Sequence, residues 1–173
     1  MITDGRITLR APEPSDVDAM FRWENDAASW TSGRTRAPLS RHALWEYVDN
    51  YTADITGSDQ ARFIITDVSS SQPVGCIDLY DLDMLNRRAG VGIYIDASER
   101  RKGYGRLALD LLCGYAQREL GLHQLMAVIV ADNQPSRSLF RESGFKECGR
   151  LHSWVRCGEH YTEVFVVQRL LIE

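Results

Sequence analysis

The feature that most constrains this 173-residue chain is a strand, a turn and a helix in close succession. Residues 89–95 (Ala-Gly-Val-Gly-Ile-Tyr-Ile) have the composition of a strand, and residues 100–105 (Arg-Arg-Lys-Gly-Tyr-Gly) that of a turn. From Arg106 to about Leu120 the apolar residues recur at helical spacing, and Gly121 is a suitable C-cap. The pattern predicts a helix that starts directly after a glycine-containing turn.

The start of that helix is a candidate anion site. The first helical turn has unpaired N–H groups and a partial positive charge. Gly103 and Gly105 would let the main chain approach an anion without an intervening Cβ. Four basic side chains surround the same point: Arg100, Arg101, Lys102 and Arg106. The spacing differs from that of a nucleotide triphosphatase loop and lacks the third glycine of a dinucleotide-binding turn. The turn predicts a diphosphate site, with an ordinary strand-to-helix turn as the alternative.

A second strand and a short helix follow. Residues 124–130 are predicted to be a strand, and Asn133-Gln-Pro-Ser136 opens a helix that stops at Gly144. The two strands and two helices would enclose a cleft beside the anion site.

The rest of the chain indicates a mixed fold. Further strands are predicted at 7–10, 62–67, 74–82, 145–155 and 161–170, with helices beginning near Ser15 or Asp16 and after a Ser40 cap. We find no internal repeat and no linker. Residues 1–173 are therefore predicted to form a single α+β layered domain.

Composition excludes several functions. The net charge of −4 argues against broad nucleic-acid binding, and no apolar run is long enough to cross a bilayer. The four cysteines lack zinc-ligand spacing and are expected to be buried free thiols, and the four histidines show no spacing for a metal site. Met1 is followed by no signal-peptide core. We expect a cytoplasmic protein without a metal.

These motifs resemble the signatures of the GNAT superfamily of N-acetyltransferases. One signature, [RQ]-x-x-G-x-[GA], matches residues 100–105, and the other, an Asn followed by a short helix and a Gly-Phe pair, matches residues 133–145. The resemblance runs from Ile7 to about Leu170. Within the superfamily, residues 9–10, 22–26, 86–89 and 149–161 are similar to the spermidine/spermine and ribosomal-protein N-terminal acetyltransferases.

The resemblance implies a fold and a coenzyme site. The fold is a mixed, mostly antiparallel, seven-stranded twisted sheet with about four helices on its two faces, split between strand 4 (89–95) and strand 5 (124–130). Acetyl-CoA would lie in the split as co-substrate. The residues implied to bind it are Ile93, Tyr94, Ile95, Arg100, Arg101, Lys102, Gly103, Tyr104, Gly105, Arg106, Asn133, Ser136 and Phe140.

Two positions depart from the family pattern. Where the family often has a proton-relaying Glu and a proton-donating Tyr, this chain has Gly90 and Phe140. The substitute candidates that we favour are Glu24 as proton acceptor and Tyr94 as hydroxyl donor. Other candidates are the carboxylates of Asp26 and Glu163 and the hydroxyls of Tyr104 and Tyr161.

The acceptor is expected to be a small amine, such as a polyamine, or a peptide N-terminus. The basic loop residues Arg34, Arg36 and Arg41 argue against a polyamine, because a polycation needs facing carboxylates. Four aromatic residues form either a cation cage or ordinary core: Trp23, Trp30, Trp45 and Tyr47. A homo-oligomer is possible. The alternative to an enzyme is an acyl-CoA-binding sensor or scaffold that has lost transfer activity.

Overall fold

The computed structural model describes residues 2–26, 37–52 and 54–171. Their strands form one sheet in the order β1-β2-β3-β4-β5-β6-β8-β7. The strands are β1 (Ile2–Thr3), β2 (Ile7–Arg10), β3 (Ala61–Asp67), β4 (Pro73–Asp83), β5 (Arg88–Ile95), β6 (Gln124–Val130), β7 (Lys146–Cys157) and β8 (His160–Leu170). All neighbouring strands are antiparallel except β5 and β6, which are parallel.

Helices cover both faces of the sheet. They are α1 (Val17–Glu24), α2 (Arg41–Asp49), the single-turn α3 (Ile55–Ser58), α4 (Tyr104–Arg118) and α5 (Gln134–Glu142). On one face, α1 and α2 pack against Ile64 and Cys76. On the other face, α4 and α5 pack over the larger core, in which Leu109 and Leu112 are fully buried. Each such side chain contributes about 1.5–3 kcal/mol of burial free energy. None of the described helices is long and apolar enough to span a membrane.

The α+β prediction is confirmed, with corrections to its details. The described sheet has eight strands instead of seven, because Ile2–Thr3 pairs with Thr8 and Leu9. A two-residue strand shows too little alternation to be found by periodicity. The predicted strands 4 and 5 are therefore β5 and β6. Ser40 caps α2 as predicted, accepting the Ala43 N–H at 3.0 Å.

Two further predictions need correction. Helix α4 ends at Arg118 with Glu119 as its C-cap, so Gly121, at φ +62°, belongs to the turn that follows. Cys76 and Cys113 are buried thiols as predicted, whereas Cys148 is exposed and Cys157 is partly exposed. Both lie on β7, where most residues alternate between exposed and half-buried positions.

The sheet parts between β5 and β6. Their parallel pairing covers only Arg88, Ala89 and Gly90, opposite Gln124, Leu125 and Met126. Beyond Gly90, β5 remains paired with β4 as far as Ile95, and β6 remains paired with β8 as far as Val130. A gap therefore opens between the two strands after Gly90.

Candidate functional site

A cavity of about 550 Å³ lies along the gap between β5 and β6. One end is lined by both strands and by α5, and the other end is lined by α1, α2, β3 and β4. The lining includes three charged side chains, Glu24, Arg62 and Asp78, and the aromatic rings of Trp23, Tyr47, Tyr80, Tyr94 and Phe140. The cavity is large enough for both a coenzyme arm and an acceptor.

The β5 side of the gap brings together three residues predicted to bind coenzyme. Ile93 and Ile95 pack toward the α4 core, and Tyr94 lies on the opposite face beside Trp23. Beyond Gly90, alternate main-chain N–H and C=O groups of β5 point into the gap, because they have no β6 partner there. These groups can pair with a ligand that lies along the strand.

The glycine turn has the conformation expected of an anion site, although its glycines also have structural roles. Gly103 is the N-cap of α4 with φ +88°, a left-handed conformation that favours glycine. A Cβ on Gly105 would lie 3.1 Å from Leu139 Cδ2, so this glycine allows α4 to pack against α5. The prediction that Gly105 serves the approach of a phosphate missed this packing role.

The side chain of Tyr104 points away from the turn. Its hydroxyl donates to Asp67 Oδ2 at 2.8 Å, which anchors the start of α4 to the end of β3. This bond, together with donation from Ser69 and Ser70, lowers the pKa of Asp67 well below its usual range, with Ser69 the largest contributor. Only the main chain of Tyr104 is positioned to face a diphosphate.

The basic side chains around the turn have different partners. Arg100 Nε donates to the Ile95 carbonyl at 3.0 Å, and Lys102 pairs with Glu99 at 2.9 Å. Arg106 pairs with Asp110 at 2.9 Å. Arg101 is exposed at φ +62° and has no ion-pair partner within the described part of the chain. Carboxylates balance the charges of Lys102 and Arg106, so the excess positive charge among these four side chains comes from Arg100 and Arg101.

Helix α5 lines the opposite side of the gap. Asn133 caps it, its Oδ1 accepting the Ser136 N–H at 3.1 Å, and both residues line the cavity. Phe140 is 2% exposed and packs edge-on against Phe145, with ring centroids 4.9 Å apart. A hydrocarbon ring therefore stands where the resemblance leads one to expect a tyrosine hydroxyl.

Tyr94 is tied to Asp26. Its hydroxyl donates to Asp26 Oδ2 at 3.1 Å. Burial, and then this bond, raise the pKa of Tyr94 to about 12. The phenol stays protonated at neutral pH and could serve as a proton donor but not as a base.

An ionic cluster that sequence reasoning missed lies at the end of the cavity lined by α1, β3 and β4. Arg62 forms a bidentate pair with Asp78, at 2.9 Å for each bond, and donates to Glu24 Oε1 at 2.6 Å. The three side chains are 22–26% exposed. Burial disfavours the Arg62 charge, but Asp78 and Glu24 raise the pKa of Arg62 well above its usual value. The cluster places the predicted candidate Glu24 in the cavity, with a net charge of −1.

Tyr80 is a second residue that the sequence analysis did not identify. Its ring covers residue 90, the position at which the family often has a Glu. It lies on β4 directly opposite Gly90. A Cβ built on Gly90 would lie 2.5 Å from Tyr80 Cζ and 2.7 Å from its Cδ2. The ring occupies the space that a side chain at residue 90 would need. The signal available in the sequence was the alternation of Asp78 and Tyr80 with apolar Ile77 and Leu79.

The structure places some of the remaining candidates in the cavity lining and others outside it. Glu163 faces Arg150 and His152, outside the cavity lining, and Tyr161 is 62% exposed. Arg41 pairs with Asp18 at 2.8 Å on the surface. Of the four aromatic residues, Trp23 and Tyr47 both line the cavity, and Trp45 is half exposed. Trp23 also belongs to the α1/α2 core. Arg34, Arg36 and Trp30 lie outside the described residues.

Known proteins are similar to this chain over most of its length. The sequence model of the Acetyltransferase (GNAT) domain matches residues 6–146. Spermidine N(1)-acetyltransferase of Vibrio cholerae is 26% identical over 148 residues, covering 86% of this chain and 83% of that protein. The putative ribosomal N-acetyltransferase YdaF of Bacillus subtilis is 34% identical over 159 residues, covering 83% of this chain and 80% of that protein.

Solved structures share the fold. The crystal structure of spermidine N-acetyltransferase from Vibrio cholerae in complex with CoA and spermine superposes with a TM-score of 0.85 at 24% identity. The match covers 97% of each chain.

Proposed function

This chain belongs to the GNAT acetyltransferase family, and on that premise we propose that it transfers the acetyl group of acetyl-CoA to a primary amine. The family uses acetyl-CoA as co-substrate. The acceptor we propose is a small polyamine-like molecule or a protein N-terminus. The observation that carries the proposal is one cavity that combines the unpaired edge of β5 with an acidic cluster.

In this proposal the coenzyme lies along the gap. Its diphosphate contacts the main chain of residues 101–106, where the N-terminus of α4 and the basic side chains favour an anion. Its pantetheine arm pairs with Ile93–Ile95 as an added strand, with Asn133 and Ser136 on the other side. The support is that Ile93, Asn133 and Ser136 line the same cavity. The start of α4 lies beside the end of β5, since a Cβ on Gly105 would lie 3.7 Å from Ile95 Cγ1.

The acceptor ammonium would bind at the other end. Glu24 and Asp78 give this end two carboxylates against one guanidinium, so it attracts a cation. This pair weakens the objection to a polyamine that the basic loop residues raised. Glu24 is the group we propose for accepting the proton of the ammonium, directly or through water.

The chemistry is direct attack on the thioester. The deprotonated amine nitrogen bonds to the carbonyl carbon, and a main-chain N–H of β5 in the gap stabilises the oxyanion. The C–S bond then breaks and CoA leaves. Reactions of this kind need orientation more than strong acid catalysis, because a thiol has a pKa of about 8.5.

Release of the CoA thiol over a panel of amines tests the proposal. The panel holds spermidine, an aminoglycoside and peptides with free N-termini, and mass spectrometry identifies the acetylated product. We expect turnover with at least one cationic amine and weaker turnover in Glu24→Gln. Binding of acetyl-CoA without turnover on any amine would instead indicate the sensor or scaffold.

A further inference from the structure

The side chain of Tyr80 crosses β5 at the place where the sheet parts. The ring atoms nearest a Cβ on Gly90 are Cε2, Cζ and Cδ2, which form one side of the ring and include the carbon that carries the hydroxyl. A Cβ on Gly92 would meet only Tyr80 Cε1, at 3.8 Å. The ring therefore extends from β4 over the main chain of β5, and Cζ, which carries the hydroxyl, lies above Gly90.

Gly90 is also the last β5 residue paired with β6. The hydroxyl end of Tyr80 thus lies at the apex of the gap, and the residue lines the cavity. In the proposed function the pantetheine arm lies along Ile93–Ile95, so the acetyl end of the coenzyme points toward this apex. Tyr80 is on the face of the sheet that also carries Asp78 and Arg62, where the acceptor would bind.

The other tyrosine hydroxyls of the lining lie further from Gly90. Tyr47 is on α2, with its ring centroid 5.7 Å from the Arg62 guanidinium carbon. Tyr94 lies four residues further along β5, roughly 13 Å from Gly90, and Phe140 has no hydroxyl.

We propose that Tyr80 is the catalytic proton donor of the transfer, which places the hydroxyl on β4 instead of α5. This inference rests on the proposed function. When the amine nitrogen has bonded to the carbonyl carbon, the C–S bond breaks and its electron pair goes to sulfur. Sulfur takes the proton of the Tyr80 hydroxyl, and the phenolate regains a proton from solvent. The nitrogen gives its surplus proton to Glu24 or water, so the products are the amide and the free CoA thiol.

Steady-state kinetics with the amine that the wild type acetylates best tests this role. Tyr80→Phe keeps the ring over Gly90 and removes only the hydroxyl. We expect its kcat to fall about tenfold to hundredfold and its KM for acetyl-CoA to stay unchanged. This loss lies at or below the usual range for acid catalysis, because a thiolate is a good leaving group even without a proton donor. Tyr115→Phe is the matched control, since Tyr115 packs against Phe63 outside the cavity and should keep the wild-type kcat.

A second variant separates chemistry from packing. Adding Phe140→Tyr to Tyr80→Phe restores a hydroxyl from the α5 side, and we expect part of the lost kcat to return. A packing role for Tyr80 predicts no such recovery and a lowered Tm in Tyr80→Phe.

The outcomes are distinct. Wild-type kcat in Tyr80→Phe, or a loss of kcat in Tyr94→Phe alone, would overturn the role of Tyr80 and leave the proposed function standing. No transfer by the wild type to any amine would overturn the proposed function, and the Tyr80 role with it.

Discussion

At the scale of single residues, two glycines on one face of β5 have different surroundings. Gly90 lies under the ring of Tyr80, and Gly92 lies beside open cavity. The glycine at residue 90 and the tyrosine at residue 80 are therefore a coupled pair, because any side chain at residue 90 would overlap the ring.

Gly90→Ala tests this coupling. Its Cβ would overlap the Tyr80 ring, so the ring must move, and overpacking of this kind costs about 1–3 kcal/mol in the free energy of unfolding. Gly92→Ala is the matched control, because its Cβ would make an ordinary 3.8 Å contact. Its stability should be unchanged or higher by about 0.5–1 kcal/mol. Equal unfolding free energies for both variants in urea would show that the ring does not occupy this space.

The ionic cluster leads to a second prediction. Arg62→Met leaves Glu24 and Asp78 facing each other without their shared cation. Breaking a buried ion pair lowers the free energy of unfolding by about 3–5 kcal/mol. Because these side chains are about one quarter exposed, we expect a smaller loss of about 2–4 kcal/mol.

The control for that change is Arg88→Met, which breaks a pair with Asp83 in which the arginine is 57% exposed. Exposed pairs contribute about 1 kcal/mol or less. If denaturation curves gave the two variants the same loss, the Arg62 cluster would be no more than a surface ion pair.

At the scale of elements, the coenzyme end depends on how α4 begins. The Tyr104 hydroxyl bonds Asp67, which also accepts from the Ser70 N–H at 2.9 Å in the β3–β4 turn. One carboxylate thus fixes the turn after β3 and the first residue of α4. The lowered pKa of Asp67 makes this link dependent on pH.

The stability that Asp67 contributes depends on pH, because its pKa differs between the folded and the unfolded chain. Because the pKa of Asp67 is lower in the folded state, its contribution to stability is present above the unfolded value of about 4 and is lost as the pH falls below it. The Tm difference between wild type and Asp67→Asn should be large at pH 5–7, by the same argument, and should shrink below about pH 4. Ser69→Ala, which removes one donor, should move the loss to higher pH. A Tm difference that is constant with pH would contradict this account.

Local signals were enough to predict the elements around the proposed coenzyme end. The glycine turn, the apolar periodicity of α4 and the Asn133 cap each lie within a few neighbouring residues. The acceptor end was not predictable in this way. Arg62 contacts Glu24, which is 38 residues away in the sequence, and Asp78, which is 16 residues away. Tyr80 lies opposite Gly90 because of the register in which β4 pairs with β5. Register depends on a turn and a β-bulge that periodicity does not reveal.

At the scale of the whole molecule, the sheet has two parts joined by three paired residues of β5 and β6. One part carries β1–β5 and the other carries β6–β8. A coenzyme in the gap would extend the pairing along Ile93–Ile95 and connect the two parts. Binding should then stabilise the fold by about 2.7 kcal/mol at a ligand concentration one hundred times Kd.

Hydrogen exchange with and without acetyl-CoA tests the central claim most directly. We predict that the coenzyme slows amide exchange in residues 91–95 and in the first turn of α4, while β2 and β3 are unaffected. Binding with no added protection in these two segments, or with protection only elsewhere, would contradict a coenzyme site in the gap.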